Sequence, residues 1–111
     1  MTNVSVVSRL APSPTGSLHI GHALSFLLTY GFTRQRGGKL VLRLEDVDVE
    51  RAAPEHVAQA QFDLEWLGID WDGAPRLQSE RLPELALAAT TLERTGHAYA
   101  CICTRGDLRA L

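Results

Sequence analysis

The chain has little of what a membrane, secreted or strongly basic protein needs. No apolar run among its 111 residues approaches the roughly 18 residues of a membrane span. Its N-terminus has neither the basic n-region nor the continuous apolar stretch of a secretory signal. Cys101 and Cys103 are its two cysteines, and a single residue between them is not the spacing of a secreted disulfide framework. Lys and Arg number 11 against 13 Asp and Glu, a formal net charge of −2. That balance argues against a broadly basic nucleic-acid binder, though not against a local basic patch. Repeats, low-complexity tracts and linkers are also missing. What remains is enough chain for one hydrophobic core. The expectation is a cytoplasmic monomer with no membrane partner.

What is present is concentrated in residues 9–23, RLAPSPTGSLHIGHA. Pro12-Ser13-Pro14-Thr15-Gly16 cannot be helical, because two prolines fix φ and remove N–H donors while Gly16 permits a turn. Ile20, Ala23, Leu24, Leu27 and Leu28 then recur at helical spacing. His19-Ile20-Gly21-His22 therefore stands where a loop becomes a helix. A helix start offers unpaired N–H groups and partial positive charge, which suits phosphate. Two imidazoles there can donate to charge that builds on a transferring phosphoryl group. A lone histidine at a helix start is more often a polar cap; the pair, with its glycine, favours nucleotide chemistry.

The remaining pattern is α/β. A strand over Val4–Leu10 delivers Arg9 to the loop. A helix over Ile20–Arg36 ends at Gly37-Gly38, suited to a left-handed C-cap. A second strand, Lys39–Glu45, alternates strictly, with Leu40, Leu42 and Leu44 on one face and Val41, Arg43 and Glu45 on the other. Strand, helix, strand predicts a right-handed βαβ unit with parallel strands. Ligands of such sheets sit beyond the carboxyl ends of the strands, and Arg9, the Pro-Ser-Pro loop, both histidines and Glu45 all fall there. Pro54 opens a helix to about Gly68. Val57, Gln61 and Leu64, with Ala58, Phe62 and Trp66, are expected to form its broad buried face. Ser79 is a candidate N-cap for a helix through Leu82, Leu85, Ala89 and Leu92 that Gly96 ends. Ala98–Cys103 reads as a strand. Trp66, Trp71 and Tyr99 are expected in or at the core, and His56 and His97 on the surface. Residues 104–111 read as a helix being started, so an N-terminal portion of a longer protein is expected.

Arg9 and Glu45 sit at the ends of two neighbouring strands and can frame one amino acid. Arg9 can take a carboxylate in a bidentate pair and Glu45 an ammonium. Asp46, Asp48 and Arg51 of the same string read as charge pairs that shape the loop. Cys101 and Cys103 are either two buried thiols or half of a zinc site, because a bare CxC does not separate the two.

Together the HIGH tetrapeptide, APSPTGSLHIGHA, LRLEDVDVER (42–51), WLGIDWDG (66–73), QSER (78–81) and YACICTR (99–105) resemble the glutamyl branch of the class I aminoacyl-tRNA synthetases. The resemblance implies a Rossmann-like catalytic domain over residues 1–97 and the start of a zinc-binding insertion over 98–111. It implies ATP with Mg2+, L-glutamate and tRNA as partners. His19 and His22 become the catalytic pair that stabilises the α-phosphate. Pro12, Ser13, Thr15, Gly16 and Gly21 join them around ATP, and Arg9, Leu10, Ala11, Pro12, Ser13 and Glu45 line the glutamate pocket. It also implies zinc on Cys101 and Cys103 in the complete protein, with further ligands beyond Leu111 and weak or no binding by this chain. The branch has two kinds of member. One charges the acceptor end of tRNA(Glu); a shorter paralogue attaches glutamate to the queuosine of tRNA(Asp). After the signature this chain reads Ala23-Leu24-Ser25-Phe26-Leu27-Leu28, without the arginine and threonine usual in the first kind, so the queuosine-modifying paralogue is the closer likeness. A lysine-rich second signature is not among these residues, which keeps an inactive nucleotide-binding remnant as the reading from another class.

Overall fold

A computed structural model describes residues 5–48 and 50–109. The chain divides between Arg81 and Leu82 into two compact units. In the first, β1 (Val7–Leu10), α1 (Ile20–Gln35), β2 (Lys39–Leu44), α2 (Pro54–Trp66) and β3 (Arg76–Leu77) precede a 3-10 turn, Ser79–Arg81. The sheet is parallel, in the order β1-β2-β3, with Arg9 beside Val41 and Leu10 beside Leu42. The α/β parallel architecture expected from sequence is therefore present. β1 is shorter than expected, and Val4 lies outside the described residues. β3 had no sequence signal, since its two residues are too few for any period to show.

The alternation in β2 decides which face is inside. Leu40, Leu42 and Leu44 are fully buried, and with Leu10, Leu64 and Ile69 they form the core. Burial of each such side chain contributes about 2 kcal/mol. α1 faces this core through Phe26 and Tyr30 rather than through the apolar line that first marks it as a helix, and Ile20, Leu24 and Leu28 stay exposed.

α2 corrects a second expectation. Ala60 and Leu64 face the core, while Ala58, Phe62 and Trp66 are exposed, Trp66 by 77%. Residues two apart on a helix stand about 200° apart, so the 58/62/66 line lies opposite the 60/64 line and cannot widen its face. Trp71 packs against the core as expected, whereas Tyr99 is 85% exposed.

Helix ends follow the glycines. At the C-terminus of α1, Gly37 takes φ 59° and donates to Arg34 O (3.0 Å), and Gly38 N donates to Thr33 O (2.9 Å). This is a Schellman cap, and Gly68 and Ile69 repeat it after α2. Gly38 is also a close approach: a Cβ there would lie 2.7 Å from Val6 O and 2.9 Å from Val6 Cβ. Backbone cannot retreat as a flexible side chain can. Gly38→Ala is therefore expected to destabilise the fold by about 1–3 kcal/mol, the usual cost of overpacking, and chemical denaturation measures it.

An ion network that the sequence did not announce ties α1 to residues 70–72. Arg34 donates to Asp70 Oδ1 through Nη2 (2.8 Å) and to Asp72 Oδ2 through Nη1 (2.8 Å). Asp72 Oδ2 also accepts from Leu40 N (2.7 Å), and Asp72 N donates to Leu40 O (2.7 Å), so the loop pairs with β2. The Leu40 N–H and the Arg34 guanidinium hold the Asp72 carboxyl below its ordinary value. Asp46 is also lowered: burial raises it, but hydrogen bonds from Ser79 outweigh that. A carboxyl depressed in the fold stabilises it fully above the unfolded pKa of about 4 and loses that contribution as pH falls through the folded value. Thermal midpoints should be flat from neutrality to about pH 5 and fall below about pH 4, and Asp72→Asn should flatten that acid limb.

In the second unit α3 (Leu82–Arg94) ends as expected at Gly96, which takes φ 75°. Ser79 does not cap it: it opens the 3-10 turn, Glu80 and Arg81 stand between it and Leu82, and its hydroxyl donates to Asp46. Residues 98–104 form no strand, contrary to expectation; they run irregularly into α4 (Arg105–Arg109). Among its described residues the second unit has no strand with which Ala98–Cys103 could pair, and an unpaired strand leaves its N–H and C=O groups unsatisfied.

Candidate active site

The loop after β1 alternates like a strand. Pro12 and Pro14 are buried and Ser13 and Thr15 exposed, so the rigid rings anchor the segment while its hydroxyls are presented. Thr15 N donates to Ser13 O (2.8 Å), closing a tight turn. The loop and the start of α1 enclose a cleft of about 490 Å³ lined by Ala11, Pro12, Ser13, Thr15, Gly16, His19 and His22 among others. Ser17, Leu18, Ser25 and Phe26 complete the wall and were not singled out from sequence. The lining holds hydroxyls and imidazoles and no carboxylate.

The two histidines cap the helix reciprocally. His19 is the N-cap and its Nδ1 accepts from Gly21 N (3.1 Å), while His22 Nδ1 accepts from His19 N (3.2 Å). Ordinarily a Ser or Thr and a Glu three residues on perform this exchange. The spacing of His19 and His22 is that of a capping box, a signal available in the sequence. Because each Nδ1 accepts a hydrogen bond, a neutral ring carries its proton on Nε2. Both rings are thereby held as Nε2–H donors, with centroids 3.8 Å apart. Gly21 leaves room for this packing: a Cβ there would lie 3.0 Å from His19 Cε1 and 3.2 Å from Nδ1, so the ring would have to give by a few tenths of an ångström. The first turn of α1 has no acidic residue, so the positive end of the helix dipole is left for an anion.

Arg9 and Glu45 do not line this cleft. Arg9 is exposed at the end of β1, and its register with Val41 sets it on the sheet face that carries Val41, Arg43 and Glu45. Glu45 N donates to Pro12 O (2.9 Å), which draws the end of β2 against the loop of the cleft. Its carboxylate is held by Arg43, an ion pair that the sequence did not single out. Leu10 has its side chain in the core, so only its main chain is available to a ligand. Asp46 accepts from Ser79 N (2.8 Å) and Oγ (2.6 Å), joining the EDVD and QSER strings. Asp48 accepts from Arg51 Nε (2.7 Å), the loop-shaping pair expected.

Cys101 and Cys103 are exposed free thiols in the second unit. No group of three His, Cys, Asp or Glu that could hold a metal ion occurs among the described residues. Two thiols do not close the four-ligand shell of a structural zinc site, so these residues by themselves do not fit one.

Relatives place the motifs in context. The chain is 45% identical over 111 aligned residues to a glutamyl-Q tRNA(Asp) synthetase of Nitratidesulfovibrio vulgaris, an alignment covering 93% of the chain and 34% of that protein. It is 47% identical over 108 residues to a glutamate–tRNA ligase of Thermosynechococcus vestitus, covering 97% of the chain and 22% of the relative. A glutamate tRNA ligase of Elizabethkingia meningosepticum, solved in complex with its amino acid, superposes with a TM-score of 0.78 at 34% identity, over 96% of this chain and 23% of that one. The chain thus spans about a third or less of the length of these relatives. Residues 5–111 match the family described as tRNA synthetases class I (E and Q), catalytic domain, and the chain belongs to it.

Proposed function

We propose that this chain supplies the N-terminal part of an ATP-dependent ligase that activates glutamate and transfers it to tRNA. The observation that carries the proposal is the reciprocal histidine cap: two imidazoles fixed as Nε2–H donors at an acid-free helix start beside a cleft without carboxylates. In the first step a carboxylate oxygen of glutamate attacks the α-phosphorus of ATP, the bond to the β-phosphate oxygen breaks, and glutamyl-adenylate and pyrophosphate form. His19 and His22 donate to the oxygens on which negative charge develops. Ser13, Thr15 and the backbone around Gly16 and Gly21 hold the phosphates and ribose, with Mg2+ carried by the nucleotide. Arg9 pairs with a substrate carboxylate and Glu45 takes the ammonium. In the second step a tRNA hydroxyl attacks the activated carbonyl and AMP leaves.

For the acceptor we infer the queuosine of tRNA(Asp), supported by the Ala23–Leu28 text after the signature. Relatives of both kinds match at similar identity, so the alternative acceptor is the 3′ end of tRNA(Glu). In the same reading the protein is a cytoplasmic monomer, and Cys101 and Cys103 give two of the thiolates of a zinc site whose other ligands lie elsewhere. Transfer of radiolabelled glutamate by the protein as its gene encodes it tests the acceptor. Label should enter queuosine-containing tRNA(Asp) and not the same tRNA lacking queuosine; label in tRNA(Glu) alone overturns the assignment.

A further inference from the structure

Arg43 enters none of the roles assigned above, yet its surroundings are unusual for an arginine on a strand. Its guanidinium Nη2 is bound to Glu45 Oε1. Its Nε is buried and has no hydrogen-bond partner. A surface arginine avoids that loss by turning its whole fork to water; here the fork stays with Glu45. Arg43 lies on β2 and Glu45 directly follows that strand's last residue, Leu44, so with i and i+2 spacing the extended chain sets the two on one face. Arg9 stands in register with Val41 and Arg76 with Arg43, so this face carries three arginines beside the Glu45 carboxylate. The main chain of Glu45 is fixed independently through Pro12 O. Backbone and carboxylate of Glu45 are therefore each held by a separate partner.

We propose that Arg43 is a positioning residue for the glutamate site: it occupies one oxygen of Glu45 and aims the other, Oε2, at the substrate ammonium. This rests on the reading of Glu45 as the ammonium acceptor. Charge and positioning predict opposite signs here. If only charge mattered, removing Arg43 would leave Glu45 more negative and tighten its hold on a cation. If Arg43 positions the carboxylate, removing it frees the side chain to rotate and weakens that hold.

Glutamate-dependent ATP–pyrophosphate exchange by the protein as its gene encodes it separates them. Arg43→Gln should raise KM for glutamate about tenfold, leaving KM for ATP and kcat within about twofold. Arg43→Lys, which keeps the charge without the planar fork, should raise KM less, and it is the deciding variant if Arg43→Gln does not fold. Arg43→Gln combined with Glu45→Gln should be no worse than Glu45→Gln alone, because Arg43 acts only through Glu45. An unchanged or lowered KM in the Arg43 variants, with KM raised in Glu45→Gln, overturns this inference and leaves the glutamate site standing. An unchanged KM in Glu45→Gln removes the site assignment itself, and the inference with it.

Discussion

His22→Ala is expected to slow glutamate-dependent pyrophosphate exchange by about 10²-fold or more, the usual effect of deleting one donor to developing oxyanion charge, with KM for glutamate nearly unchanged. The same change removes the acceptor of His19 N, so the helix should also lose about 1 kcal/mol of capping. Lost chemistry and lost structure are separable. In His22→Asn a side-chain oxygen can still accept from His19 N, but the ring donor is gone. His22→Asn should therefore recover most of the stability and little of the rate. If His22→Asn were as active as wild type, the role of His22 would be capping alone. A large rise in KM for glutamate with normal chemistry would instead place His22 in the amino-acid pocket.

Arg9→Met should have the complementary signature. Arg9 is exposed at the carboxyl end of β1 and makes no ion pair among the described residues. That suits a cation kept for a ligand, whereas Arg34 and Arg43 are already committed to carboxylates. Loss of a charge-assisted bidentate pair is worth about 1.5–3 kcal/mol, which is roughly 10- to 100-fold in KM for glutamate. KM for ATP should be unaffected and the melting temperature nearly so. Equal weakening of glutamate and ATP, or a fall in stability of the same size, would show that Arg9 supports the sheet rather than the substrate.

The parts legible in the sequence are those set by local periodicity and terminus chemistry. β2 declares itself by the Leu40, Leu42, Leu44 alternation, α1 by its glycine pair, and the loop by two prolines with hydroxyls between them. Each depends on neighbours a few residues apart. What was missed depends on partners far apart in the chain. Arg34 meets Asp70 and Asp72 across some thirty-six residues, and Asp46 meets Ser79 across thirty-three. No window of sequence contains both ends of those pairs. α2 departs from its sequence pattern for another reason. Its two apolar lines are both real, but helical geometry lets a single sheet cover only one of them. The histidine cap is a third case: its spacing was visible, but two histidines in place of serine and glutamate hid the motif.

In the proposed function, the cleft beside the His19–His22 cap is an ATP site in which glutamate is activated. ATP–pyrophosphate exchange, measured on the protein as its gene encodes it with each candidate amino acid in turn, tests this most directly. Exchange is expected with L-glutamate, little with glutamine or aspartate, and its loss in His22→Ala. Exchange that is absent with glutamate, or that persists undiminished in His22→Ala, would contradict it.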